Sequence, residues 1–508
     1  MAAFTSFDFG SLFSVGNLLC LFLGTLLGMI VGCLPGLGPT IGVALCLPLT
    51  FKMDLIPSVL LLVAIYQGAE YGGSISAILL GIPGTISASA TTMDGNPLCR
   101  KGYPGKALGY SLTSSAIGGL LGGIVLLLFI TPLSRLAFDF LDGELFLIAM
   151  FGLISIVTLG SDDVPKSMIS LLLGLLLRTM GADTLSGVNR YTFGVPSMLE
   201  GLQFIAVITG LFALSSVFNM VGSENLGSSG VSDVSRFKVH VSLSELREIL
   251  GTVLKSSVIG TIMGIIPGLG PSAAAWMSYN EVKRAHPEKK FGTGEPLGIS
   301  ACESANNACV GGALLPLLSM GIPGSGTIAV LATAFMFKGI QPGPQLLTKY
   351  PQYVYPILWG FLIAVFALYI VGKFFTSLTA RMLVAPNYLL VVIILVAIMI
   401  GSFGNRNNMF DVGVAIAFGV VGFFLIKLKY PIASFLMAFV LGDIIETHFR
   451  RALTLSKGSW LVFVSRPASI VIDLMILALI VSSVLRSVKA KKQKAAAAKT
   501  AEGGADHV

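Results

Sequence analysis

Residues 28–40 read GMIVGCLPGLGPT, and residues 260–272 read GTIMGIIPGLGPS. Gly28, Gly32, Pro35, Gly36, Leu37, Gly38 and Pro39 recur as Gly260, Gly264, Pro267, Gly268, Leu269, Gly270 and Pro271, an offset of 232 residues, and a hydroxyl follows each time as Thr40 or Ser272. A second pair keeps the same order. Gly81-Ile82-Pro83-Gly84-Thr85 returns as Gly321-Ile322-Pro323-Gly324-Ser325, at an offset of 240. Two motifs, each repeated once in one order, mark an internal duplication.

Pro-Gly-Leu-Gly-Pro ends a helix, because proline lacks the amide hydrogen and glycine permits positive φ. The chain around it is one that belongs in lipid. Of its 508 residues, 54% are hydrophobic and only 11% charged, where a soluble domain carries roughly 25% charged residues. Ser111–Ser134 and Pro386–Phe403 hold no charged residue, and Ala468–Leu485 holds only Asp473. These runs approach the roughly 20 apolar residues that cross about 30 Å of hydrocarbon. They lack the period-2 alternation of barrel strands, so the spans are helices. The expected fold class is therefore an all-α polytopic membrane protein with about 10 to 12 transmembrane helices plus re-entrant or broken half-helices, built as two inverted structural repeats.

Irregular backbone at membrane depth survives only where protein or a water-filled cavity satisfies it. Paired breaks at matching places in two halves point to a transporter's binding site. The same spacing alone also fits tight surface loops, and the GxxxG pairs read as helix packing.

The first repeat is expected over residues 1–222, with breaks at 35–40 and 81–85, and the second over 249–446, with breaks at 267–272 and 321–325. Between them, residues 223–248 form a polar connector whose end, SLSELRE, reads as a capped amphipathic surface helix. Residues 447–487 are read as an amphipathic segment and a last helix, and 488–508 as a disordered basic tail. Arg486, Lys489, Lys491, Lys492, Lys494 and Lys499 follow the last span, which by the positive-inside rule places the C-terminus in the cytoplasm. The net charge of +8 is thus a topology signal. Neither the six cysteines nor the four histidines show metal-ligand or disulfide spacing, so no cofactor or metal is expected.

PGLGPT, PGLGPS, YGGSISAILLGIPG (71–84), MDGNPLCRKG (93–102) and ESANNACVGGALLPLLSMGIPG (303–324) resemble the large membrane subunit of the tripartite tricarboxylate transporters. The resemblance runs from about residue 15 to about residue 470. It implies a bacterial inner-membrane subunit that works with a small integral-membrane subunit and a periplasmic solute-binding protein. It also implies ion-coupled uptake of small di- or tricarboxylates, driven by Na⁺ or H⁺ without ATP, and the sequence has no GxxxxGK[ST] loop.

A carboxylate that must be released is better held by many neutral donors than by fixed Lys or Arg. The expected substrate contacts are Gly38, Thr40, Gln67, Ser74, Gly84, Thr85, Gly270, Ser272, Asn306, Asn307, Gly324 and Ser325, with half-helix amides and dipoles assisting. Gln67 and Asn307 match at the 240-residue offset, which fits either a shared substrate contact or a structural cross-link. Ion coupling is expected at Gly36, Gly38, Gly268 and Gly270, through unwound carbonyls, and at Glu303. Intramembrane acids mark ion or proton pathways, and Glu70 is a second such acid. For Asp94 a polar turn is the plainer reading, and for Lys255 snorkelling to the interface. An intramembrane enzyme is the rival from another class, but HExxH, a supported GxSxG and paired GxGD aspartates are all missing. A channel is the other, and it fits poorly with a duplicated chain that breaks its own helices.

Overall fold

The computed structural model describes residues 9–34, 37–159, 163–183, 185–222, 239–381 and 387–503. The expected ion ligand Gly36 and most of the polar connector lie outside the described residues. The first half contains α1 (Val15–Cys33), α2 (Gly38–Cys46), α3 (Leu55–Leu80), α4 (Ala88–Arg100) and α5 (Pro104–Phe138). Next come α6 (Asp142–Leu159), α7 (Val164–Arg178), a two-residue hairpin of β1 (Gly181–Ala182) and β2 (Asn189–Arg190), and α8 (Phe204–Ile208), which continues through a π turn into α9 (Ser215–Gly222). The second half contains α10 (Leu243–Ile265), α11 (Gly270–Ala285), α12 (Pro296–Met320), α13 (Gly326–Phe337) and α14 (Pro351–Arg381). It is followed by α15 (Asn387–Arg406), α16 (Met409–Lys427), α17 (Ile432–Leu455) and α18 (Pro467–Gly503).

The chain is a multi-pass membrane protein. Among the described residues, eight helices are long and apolar enough to cross a bilayer, and shorter apolar helices lie between them. The most apolar window of α3 is 89% buried and that of α18 only 6%, so α3 sits at the centre and α18 on the lipid-facing rim. In α12 every residue from Leu297 to Ser319 is buried.

The duplication extends to the backbone. Helices α3 and α12 both end on a left-handed glycine, Gly81 (φ 74°) and Gly321 (φ 79°), a conformation a Cβ would strain. After each, the chain folds back on its own helix: the Gly84 amide donates to the Gly73 carbonyl (3.1 Å) and the Gly324 amide to the Ala313 carbonyl (3.3 Å). The second PGLGP break is tied to the second GIPG break by the Gly268 amide, which donates to the Gly324 carbonyl (3.0 Å). The GxxxG pairs are packing faces. A Cβ at Gly32 would overlap the Ala69 carbonyl on α3, and one at Gly264 would overlap the Cys309 carbonyl on α12.

Three expectations fail in detail. SLSELRE is not a separate surface helix but the first turns of α10, with Ser242 and Glu245 forming a capping box, because no residue after it interrupts the helix. The last helix runs through the basic tail to Gly503, as a stretch of strong helix formers, Ala and Lys, permits. The second half's expected end at 446 also falls inside α17.

The halves interlock. Helix α2 packs on α13, α4 on α11, α5 on α12, and α14 on α3. On one side, Lys338 after α13 donates to the Phe51 carbonyl after α2 (3.0 Å). On the other, Lys106 at the start of α5 pairs with Glu245 at the start of α10 (2.7 Å). The strongest clasp there is Asp94 of α4. One carboxylate oxygen accepts the backbone amides of Gly292, Gly294 and Glu295 at 2.8–2.9 Å, and the other accepts the Tyr279 hydroxyl at 2.9 Å. Asp94 is therefore an anchor for the loop before α12. Asp94→Ala leaves those buried donors unpaired and should cost about 3 kcal/mol or more. The thermal unfolding midpoint of the detergent-purified protein should fall clearly, and by less for Asp94→Asn; an unchanged midpoint would remove the clasp from the account.

Candidate functional site

The breaks bring four short-helix starts toward the centre, where α3 and α12 cross. At one pole the first turns of α2 and α13 meet, one from each half: the Thr40 and Thr327 hydroxyls are 2.8 Å apart. Ser325 caps α13 by accepting the Ile328 amide (3.3 Å). The Tyr66 hydroxyl of α3 reaches Ser325 (3.2 Å) and lies beside Thr327. Gly38 and Gly270 open α2 and α11 with φ of 65° and 66°. Gly84 and Gly324 form the fold-backs described above, so their part in the site is to let the chain approach closely.

At the other pole α4 and α11 meet. Thr85 accepts the Ala88 amide (3.3 Å), the counterpart of the Ser325 cap, and pairs with Ser87 (2.9 Å). Ser87 donates to Glu70 (2.6 Å), and the Trp276 indole of α11 donates to Ser89 (3.0 Å). Ser272 is half-buried in the first turn of α11. Asn306 is 1% exposed with its amide beside Glu70, and no other protein group bonds either amide atom.

Between the poles, Asn307 donates to the Gln67 side-chain oxygen at 2.6 Å. The matched amides thus bridge the two central helices, while the Gln67 nitrogen and the Asn307 oxygen have no protein partner. Ser74 lies apart from the poles, at Glu303. That carboxylate accepts Ser74 (2.5 Å) and Thr91 (2.5 Å) on one oxygen and Ser115 (2.9 Å) on the other, joining α3, α4, α5 and α12.

Tyr66 and Ser115 are members of these networks outside the expected set. Tyr66 was findable, since it matches Asn306 at the 240-residue offset. Ser115 carries no such signal: it lies in the apolar α5, which reaches Glu303 only through the fold.

A surface cavity of about 410 Å³ lies elsewhere, between the β hairpin and α17. Its arginines are paired: Arg450 with Asp183 (2.7 Å), Arg190 with Glu446 (2.6 Å) and Arg178 with Asp443 (3.6 Å). The Ser186 hydroxyl, the Leu185 amide and Arg450 hold the Asp183 carboxyl well below the usual carboxylate range. Among the described residues each arginine lining this cavity thus has an acidic partner. Among the described residues there is no group of three or more His, Cys, Asp or Glu that could hold a metal ion.

The pattern of the family described as "Tripartite tricarboxylate transporter TctA family" matches residues 18–437. An Agrobacterium vitis protein described as "Uncharacterized 52.8 kDa protein in TAR-I ttuC' 3'region" is 35% identical over 480 residues, covering 94% of this chain and 95% of that protein. A second from that organism, described as "Uncharacterized protein in TAR-II ttuC' 3'region", is 33% identical over 236 residues, covering 46% of this chain and 98% of its own. No solved structure matches.

The Gln67–Asn307 pair can be tested as a cross-link. Asn307→Leu alone strands the Gln67 amide and should cost about 1–3 kcal/mol, whereas Gln67→Leu with Asn307→Leu removes both partners and should recover most of that. Thermal unfolding of the singles and the double checks this. Solute uptake abolished in a stably folded double variant would instead make the pair a substrate contact.

Proposed function

This chain belongs to the tripartite tricarboxylate transporter TctA family, and from that premise we propose that it is the translocating subunit of an ion-coupled secondary transporter for small di- or tricarboxylates. It is a transport protein rather than an enzyme. Its partners are a small integral-membrane subunit and a periplasmic binding protein that delivers the solute. It resides in the bacterial inner membrane with its C-terminus in the cytoplasm, as the basic residues after α18 argue.

The observation that carries the reading is the meeting of two half-helix starts at Thr40 and Thr327. Unpaired amides and the positive dipole ends favour an anion there. Hydroxyls from Thr40, Ser325, Thr327 and Tyr66 add neutral donors, so a carboxylate is held by many weak contacts and released again. Gly38, Gly270, Ser272 and Thr85 supply the corresponding turns around both poles. Glu70 and Glu303, 2% and 0% exposed, are the two candidate acids for the coupling ion, since an isolated buried charge is costly.

Opposite orientation of the two repeats is supported by the clasps between them. The loop after α2 meets the loop after α13, while the end of α4 meets the loop after α11. Such an inverted pair suits alternating access. The moving body comprises the broken helices of both halves, and the frame includes α6–α9 and α15–α17. The contact between them is apolar: Leu34, Leu37 and Ile41 lie against Ala206 and Leu211, and Gly268 lies against Ile156. That is the greasy interface an elevator-like stroke needs.

Thr40→Val and Thr327→Val each remove a donor to the carboxylate and should lower uptake of labelled citrate into vesicles about tenfold or more. Membrane insertion should stay intact. Wild-type uptake in both variants would place the solute elsewhere.

A further inference from the structure

The two poles differ in charge. At the 240-residue offset Glu70 of α3 corresponds to Val310 of α12, so one pole carries a carboxylate and its twin does not. At the Thr40–Thr327 pole, the starts of α2 and α13 are left for an anion from outside. At the other pole the chain supplies its own: Glu70 accepts the Ser87 hydroxyl in the turn that opens α4. Tyr66 and Glu70, each reaching one of the poles, are one turn apart on α3, about 6 Å of helix rise. That is within the reach of a solute with two carboxylates. With its first carboxylate at Thr40 and Thr327, its second arrives beside Glu70, and two carboxylates in contact in a low-dielectric site do not both stay ionised.

Building on the substrate site proposed above, we propose that Glu70 is the residue that couples a proton to the solute. Ionised, it fills the second anion pole; protonated, it yields that pole to the solute's second carboxylate. One proton from the outer water binds the Glu70 carboxylate as the solute enters, and the same proton leaves to the cytoplasm as the solute departs. Asn306, buried beside Glu70 with no other partner for its amide, fits both demands. Its oxygen can accept the acid proton of Glu70, and its nitrogen can donate to the incoming carboxylate.

The titratable groups facing Glu70 are Tyr66 from its own helix and Cys309 and Glu303 from α12; among the described residues no Lys, Arg or His acts on it. A metal cation in the same place would stand against the positive end of α4. Glu303 is enclosed by its three hydroxyl donors and stands off the poles.

The test uses vesicles from cells producing the full chain with its partner subunits, and labelled citrate as probe. In Glu70→Gln, accumulation driven by an inward proton gradient should fall about tenfold or more, and citrate exchange should lose the pH dependence seen in the unmutated protein. Glu70→Asp should restore part of the proton-driven accumulation. A measurement on the unmutated protein needs no variant to fold: citrate added to the purified chain in weak buffer should draw about one proton from solution per citrate bound. Proton-driven accumulation unchanged in Glu70→Gln, loss of Na⁺-driven accumulation instead, or citrate binding without proton uptake would each overturn the assignment. Failure of the substrate site itself looks different: citrate exchange then survives Thr40→Val and Thr327→Val, whatever Glu70 does.

Discussion

A peptide group inside a bilayer has no water to bond, so every interruption of a helix there must find its partners within the protein. This constraint shapes the rest of the molecule. The Gly84 and Gly324 amides return to carbonyls of the helices they have just left, and the Gly268 amide is taken up by the neighbouring break. The breaks therefore cannot drift from α3 and α12. Close backbone approach follows, and the glycines of the GxxxG pairs are what permits it, since a side chain there would run into main-chain carbonyls.

The three buried acids around the crossing of α3 and α12 sort by how completely they are satisfied. Asp94 has three backbone amides and a phenol, which makes it a fixed clasp between halves. Glu303 has three hydroxyls, which let it join four helices. Glu70 has the single Ser87 hydroxyl in good geometry and a neighbouring amide with bonds to spare. An acid that the fold leaves incompletely served is the one free to change its protonation or its partner.

Duplication gives a site with two similar poles, and small differences between the halves assign them different work. Valine against glutamate at one matched position places an ionisable acid at one pole only, while the capping bonds of Thr85 and Ser325 stay alike. A symmetric frame holds the breaks, and its broken symmetry separates the solute's place from the ion's.

From the residues alone came the membrane class, through composition; the duplication, through motif spacing; and the breaks, through proline and glycine chemistry. These are local or periodic properties, visible without knowing which segments touch. The matched amides Gln67 and Asn307 were legible as a pair, but that they bond to each other across the centre was decided by how α3 and α12 cross. The meeting of Thr40 with Thr327, the clasp of Asp94 on the loop before α12, and the part of Ser115 at Glu303 lay outside any local pattern. Each joins segments far apart in the chain, and only packing of one half against the other sets such distances. Sequence determined where the helix had to break; the tertiary structure decided which breaks face each other, because the orphaned polar groups are satisfied by neighbours that are remote in sequence.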